Sequence, residues 1–183
     1  MKFEIEIIKT LQTISSPFWD NFFKLISQLG NYIGFAIAVL TIYILVNKKY
    51  ALYFSLTYLL SLLANWIMKA LISRPRPYVA SGEIKNIFPG SGASMPSGHT
   101  LSATIIACFC VYIIFKSSKR PWIKVLSSVL FTIFVGFVIV SRMYLGQHYL
   151  SDTLVALAEG IVFSTIGISL YKKGDKKIDS KKC

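Results

Sequence analysis

Acidic residues are scarce in this chain: eight Asp and Glu stand against twenty Lys and Arg in 183 residues, and only 15% of residues are charged. With 54% hydrophobic residues and a mean hydropathy of +0.58, the apolar material exceeds what the core of one soluble domain can hide. Cysteine is nearly absent. Cys108 and Cys110 lie two apart in one apolar run and point to nearly opposite faces of a helix, and Cys183 ends the chain. They provide no disulfide framework, and packing is their expected role. Histidine occurs only twice, at 99 and 148, so each one has to be accounted for.

Long apolar runs are what the chain has in quantity. Against a requirement of about 20 helical residues per crossing, five runs qualify or nearly do: 32–46, 51–68, 101–115, 122–140 and 153–171. The fold expected is all-α, a polytopic membrane bundle of five spans and one domain over residues 1–183, with a sixth, N-terminal span as the alternative. Residues 1–30 are interrupted by Glu4, Glu6, Lys9, Asp20 and Lys24, while Phe3, Ile7, Leu11 and Ile14 recur at helical spacing. That pattern predicts an amphipathic helix at the outer interface, with Phe18, Trp19, Phe22 and Phe23 as an aromatic anchor. The acidic, broken start lacks the order of a cleavable signal peptide.

Basic loops set the expected orientation. Lys48 and Lys49, then Lys116, Lys119, Arg120 and Lys124, then the tail at 172–183 alternate as cytoplasmic segments do. The tail is expected to be disordered, basic and cytoplasmic. The connections 69–100 and 141–152 then face the extracytoplasmic side of the cell membrane. A net charge of +12 raises nucleic acid as a partner, but the lysines lie on inner loops and tail with no basic domain among them. Anionic lipid of the bilayer is their expected partner, and no nucleic acid is.

Polar chemistry collects at the outer ends of these spans. Lys69 and Arg76 lie seven apart in "KALISRPRPY", where Pro75 and Pro77 stop the helix. In "SMPSGHT", Pro96, Ser97 and Gly98 read as a helix start whose free N–H groups favour an anion, with His99 in the first turn. In "SRMYLGQHYLSD", Arg142 ends one span, Gly146 allows a tight turn, and His148 and Asp152 are one helical turn apart. An Asp there can orient one imidazole nitrogen and leave the other unprotonated. Singly these are a snorkelling lysine, a capped helix and a His–Asp cap. Together three cations, a helix N-terminus, two histidines and a carboxylate describe a phosphate site.

The pattern Lys69, six residues, Arg76-Pro77; Pro96-Ser97-Gly98-His99; and Ser141-Arg142, five residues, His148, three residues, Asp152 resembles the three-part signature of the type-2 phosphatidic acid phosphatase family. That family includes bacterial undecaprenyl diphosphate phosphatases, phosphatidylglycerophosphate phosphatases, glucose-6-phosphatases and vanadium haloperoxidases. The resemblance covers residues 18–171 with no motif position missing, and spacing selects Arg76 over Arg74, which stays a lesser candidate for the phosphate. It implies that Lys69, Arg76 and Arg142 bind phosphate oxygens, helped by Ser97 and the amide of Gly98. It further implies that His148 is a nucleophile oriented by Asp152, that His99 protonates the leaving oxygen, and that no metal or other cofactor takes part.

A lipid phosphatase is therefore expected, with undecaprenyl diphosphate ahead of phosphatidylglycerophosphate and phosphatidic acid. Competing readings are a vanadate-dependent oxidative enzyme, a metal site of His99, His148 and Asp152, and a non-catalytic lipid-phosphate binding or transport protein. Five greasy spans oppose the first, and the neighbouring cations oppose the second. Residues 79–95 are expected to be a plain connection rather than a flap, with Phe88 the residue to watch if a flap exists.

Overall fold

The computed structural model describes residues 2–179, with side chains through Gly174. Among them every regular element is helical: α1 (Lys2–Gln12), α2 (Pro17–Leu29), α3 (Tyr32–Leu45), α4 (Lys48–Ile72), α5 (Pro77–Ala80), α6 (Gly98–Ser117), α7 (Pro121–Tyr144) and α8 (Leu150–Asp179). The chain writes these boundaries with caps and prolines. Ser16 caps α2, which has Pro17 in its first turn, and Asn47 accepts from Tyr50 N at 2.7 Å to start α4. Ser73 turns left-handed (φ 46°) to end α4 four residues after Lys69, which lies in its last turn.

Four helices, α4, α6, α7 and α8, are long and apolar enough to cross a bilayer. The fourteen residues of α3 span only about 21 Å at 1.5 Å each, short of a hydrocarbon core about 30 Å thick. With α2 it meets the requirement, the two helices being bent by 47° at the break between them, which brings the number to five. Residues 17–29, expected to lie outside the crossings, are apolar enough to count with α3 as one bent candidate span. Asp20 and Lys24 hide this by depressing the local hydropathy.

Polarity is arranged with apolar residues outward. Leu52, Leu56, Leu59 and Leu63 of α4 and Val125, Val129 and Ile133 of α7 are exposed, whereas Ser61, Asn65, Thr100, Ser102 and Thr104 are buried. In a bilayer this puts hydrocarbon against lipid and pairs polar groups inside. The centre is α6, which packs on α7 and α8 and touches α2, α3 and α4. Its Leu101, Ile105 and Phe109 share one core with Tyr50, Phe54 and Ala156. At one end of the bundle the basic segments converge: Lys49 and Lys116 lie 5.5 and 5.1 Å from the ring centre of Tyr171, and Lys172 lies 5.0 Å from that of Tyr112. The tail departs from expectation, since α8 runs on as helix through Asp179; Cys183 lies outside the described residues.

The helix α1 also departs from its predicted stripe. Ile8 is fully buried, and Glu4 and Gln12, one turn to either side of it, turn inward as well, while Phe3 is 73% exposed. Gln12 donates to the carbonyls of Lys85 and Tyr144, both at 2.9 Å, and accepts from Lys85 N at 2.9 Å. A hydrophobicity pattern cannot find a face whose ends are polar.

Gly146 closes the turn between α7 and α8 with φ +76°, and a Cβ on it would stand 2.4 Å from the carbonyl oxygen of Lys85. Gly146→Ala is expected to cost on the order of 1–3 kcal/mol from the backbone alone, with more from the clash. Thermal unfolding in detergent should show a clear drop in midpoint; an unchanged midpoint would refute the strain.

Candidate active site

At the end of the bundle opposite the basic cluster, a cavity of about 340 Å³ is lined by Lys69, Arg76, Gly98, His99, Arg142 and His148, together with Asn31, Tyr58, Leu62, Ser102 and residues 88–91. Three cations line it, and no carboxylate does among the described residues. Each is delivered differently. Lys69 comes from the last turn of α4, and Arg76 from the extended segment after it; they converge because the helix stops rather than because it continues. Arg142 comes from the last turn of α7 and is 2% exposed, and its Nη1 donates to Ser27 Oγ of α2 at 2.6 Å. Its Nε is buried without a partner among the described residues. A donor so placed is costly to bury unless an acceptor joins it.

The carbonyls of the 91–94 segment hold the other two cations. Lys69 Nζ donates to Ala93 O at 2.9 Å, and Arg76 donates to Gly92 O at 3.0 Å and Ser91 O at 2.6 Å. Residues 79–95 are therefore not a plain connection. Phe88, Pro89, Gly90 and Ser91 are a wall of the cavity, anchored by Tyr78 Oη on Gly90 O at 2.7 Å. Gln147, which sequence reasoning passed over, joins the wall to the guanidinium: its Oε1 accepts from Arg76 Nη1 at 2.8 Å, and its Nε2 donates to Asn86 Oδ1 and Phe88 O.

The third motif folds as a tight turn. The amides of Gln147 and His148 both donate to Arg142 O, at 3.1 and 3.2 Å, so the cation and the imidazole share one anchor. His148 precedes α8 rather than starting it, and is 2% exposed. Asp152 lies behind it, with Oδ2 3.6 Å from His148 Nδ1. That is an ion-pair distance, longer than a hydrogen bond. Its shorter partners are Ser94 Oγ (2.5 Å) and Tyr149 N (2.9 Å) on Oδ2, and Arg74 Nη1 (2.5 Å) on Oδ1. Burial, opposed by the carboxylate but reinforced by the nearby cations, pushes the His148 imidazole down to about 3, so it is neutral at physiological pH.

Ser97 differs from its expected place. It is fully buried and is absent from the lining; its hydroxyl accepts from Thr100 N at 3.4 Å as the cap of α6. It holds the helix start at which Gly98 lines the cavity. The alternative metal site of His99, His148 and Asp152 finds no support in geometry, since no described residues form a group of three or more such ligands.

The model of the PAP2 superfamily matches residues 50–175, well over half the chain. The chain belongs to the PAP2 superfamily. Undecaprenyl-diphosphatase BcrC of Bacillus subtilis is 28% identical over 175 residues, 93% of this chain and 83% of that one. Lipid A 4'-phosphatase of Porphyromonas gingivalis is 28% identical over 184 residues, 94% of this chain and 73% of that one. Among solved structures, a PAP2-type phosphatidylglycerolphosphate phosphatase of Bacillus subtilis superposes with a TM-score of 0.78 at 23% identity, covering 97% of this chain and 86% of that chain. The protein is thus a multi-pass membrane member of a lipid phosphatase family, and the expected all-helical fold is borne out. The PAP2 match begins at Tyr50, so α1, α2, Ser27 and Asn31 lie outside it.

Proposed function

We infer that the chain hydrolyses a lipid phosphate or diphosphate, with undecaprenyl diphosphate the first choice, without a metal and through a phosphohistidine on His148. The observation that carries this reading is one cavity that gathers Lys69, Arg76, Arg142, His99 and His148, with Asp152 behind His148. The three cations and the Gly98 amide take the phosphate oxygens, including the unpaired Nε of Arg142. With Nδ1 turned to Asp152, Nε2 of His148 is the atom free to attack. An N–P bond forms as the P–O bond to the lipid breaks, and the leaving oxygen takes a proton from His99. Water then attacks phosphorus, His99 recovers a proton from it, and the N–P bond breaks to release inorganic phosphate. The cations stabilise the charge spread over the oxygens at both steps. The 3.6 Å contact between His148 and Asp152 is expected to shorten as the imidazole becomes positive.

The near full-length likeness to an undecaprenyl-diphosphatase supports the diphosphate, and phosphatidylglycerophosphate and phosphatidic acid follow. The convergence of Lys49, Lys116 and Lys172 at the other end of the bundle supports a cytoplasmic C-terminus and a site on the extracytoplasmic face. The test is purified protein in detergent with EDTA on a panel of lipid mono- and diphosphates. Phosphate release from undecaprenyl diphosphate ahead of the others is expected; chelator-sensitive release would remove the metal-free mechanism.

His99→Ala separates the acid from the nucleophile. It is expected to slow release from a lipid phosphate about 10²–10⁴-fold, and much less from para-nitrophenyl phosphate, whose leaving group needs no proton. Equal losses on both substrates would refute the role of His99.

A further inference from the structure

Arg74 is the arginine that motif spacing leaves unassigned, and it does not line the cavity. Its guanidinium instead bridges two carboxylates. Nη1 donates to Asp152 Oδ1 at 2.5 Å and to Ser151 Oγ at 2.7 Å, and Nη2 donates to Glu4 Oε2 at 3.0 Å. Glu4 completes the ring, since its Oε1 accepts from the amide of Ser151 at 2.9 Å and from its hydroxyl at 2.6 Å. The plane of Arg74 lies over the Tyr149 ring, 3.9 Å from its centre. The side chains of Arg74, Glu4 and Asp152 are 17%, 16% and 0% exposed, so this is an interior network rather than a solvated pair.

We propose that Glu4 and Arg74 are positioning residues for the reaction: the N-terminal helix, through this pair, fixes Asp152 Oδ1 so that Oδ2 faces His148, and sets the net charge that His148 senses. The inference rests on the phosphohistidine reading above. Asp152 has two oxygens with divided duties. Oδ1 is held by Arg74, while Oδ2 is left for Ser94, Tyr149 N and the imidazole. A forked guanidinium holds Asp152 and Glu4 at once in one fixed geometry, which the rotatable ammonium of a lysine does not impose. Burial pushes the Glu4 carboxyl up, but hydrogen bonds from Ser151 and Arg74 outweigh it and hold the group below the ordinary carboxylate range. Glu4, Arg74 and Asp152 therefore carry a net charge of minus one behind a neutral ring. Besides Asp152 of α8, the charged or titratable groups facing His148 are Lys69 of α4, Arg76, His99 of α6 and Arg142 of α7. None of these is touched by changing Glu4 or Arg74.

The signs follow from that charge count. Arg74→Ala leaves two carboxylates behind His148 and favours the imidazolium; Glu4→Gln leaves one guanidinium against one carboxylate, a net charge of zero, and disfavours it. Because the chain has only two histidines, ¹⁵N-histidine NMR of protein without a histidine tag, with His99→Gln for assignment, follows His148 directly. Arg74→Ala should titrate above wild type by about half a unit or more, Glu4→Gln no higher than wild type, and Arg74→Lys near wild type. On dioctanoyl phosphatidic acid in micelles, kcat should fall about 10–100-fold in Arg74→Ala with KM nearly unchanged, and Arg74→Lys should recover part of it. Should His148 titrate at one pH in all variants while thermal midpoints and kcat fall together, the pair is merely structural and the proposal is overturned. Should wild type release no phosphate from any lipid of the panel above, the phosphatase reading falls, and the titration still decides whether Glu4 and Arg74 act on His148.

Discussion

Replacing His148 with alanine is expected to abolish phosphate release, by a factor on the order of 10⁵ or more, while leaving substrate binding largely in place. The reason lies in how the site divides its work. Lys69, Arg76 and Arg142 reach the cavity from three separate segments, and Arg142 is anchored by Ser27 through its side chain. None of them is held by the His148 side chain, whose Nδ1 makes no hydrogen bond among the described residues. The loss is therefore one of chemistry rather than of the anion cradle. Rapid acid or base quenching with ³²P-labelled substrate should trap a base-stable phosphoenzyme in wild type and none in His148→Ala. A labelled protein that persists in the variant would show that the nucleophile lies elsewhere.

Asp152→Asn is the second large effect, with kcat expected to fall on the order of 10³–10⁴-fold. The amide keeps the shape of the carboxylate but removes the charge that stabilises the imidazolium as the N–P bond breaks and forms. It also upsets Arg74 and the Ser94 hydroxyl, since Asp152 accepts from both at 2.5 Å. An amide offers one acceptor oxygen where the carboxylate offers two, so one of these donors, or Tyr149 N, loses its partner. Stability should fall as well, because a buried guanidinium loses half of its compensation. Measuring kcat beside the thermal midpoint separates the two. An Asn variant with normal kcat would remove Asp152 from the mechanism.

The structure also explains why a hydroxyl and an amide outside the motifs belong to the site. Ser27 is a buried serine of α2 with nothing in the local sequence to mark it, yet it is the partner of Arg142 Nη1. Gln147 stands beside a motif histidine and looks like spacing, but it ties Arg76 to the 86–90 wall. Lys69 and Arg76 are held largely by backbone carbonyls of residues 91–94. A carbonyl has no residue identity, so no reading of side chains could have found that wall.

What the amino-acid order determined unaided was the crossing helices and the polar groups that gather at the cavity. Hydrocarbon runs must leave water, which makes α4, α6, α7 and α8 legible. Charged and imidazole side chains are too costly at a membrane edge to be incidental, and their spacing at 69, 76, 99, 142, 148 and 152 carried the family resemblance. Only the tertiary structure decided what depends on contacts between distant segments. It set α2 against α3 at a 47° bend, turned Glu4 and Gln12 inward on α1, and carried α8 through Asp179. It also took Arg74 away from the phosphate and gave it to Asp152. Those choices rest on which polar groups must find a partner once water is excluded, and in this chain the partners lie as many as 147 residues apart.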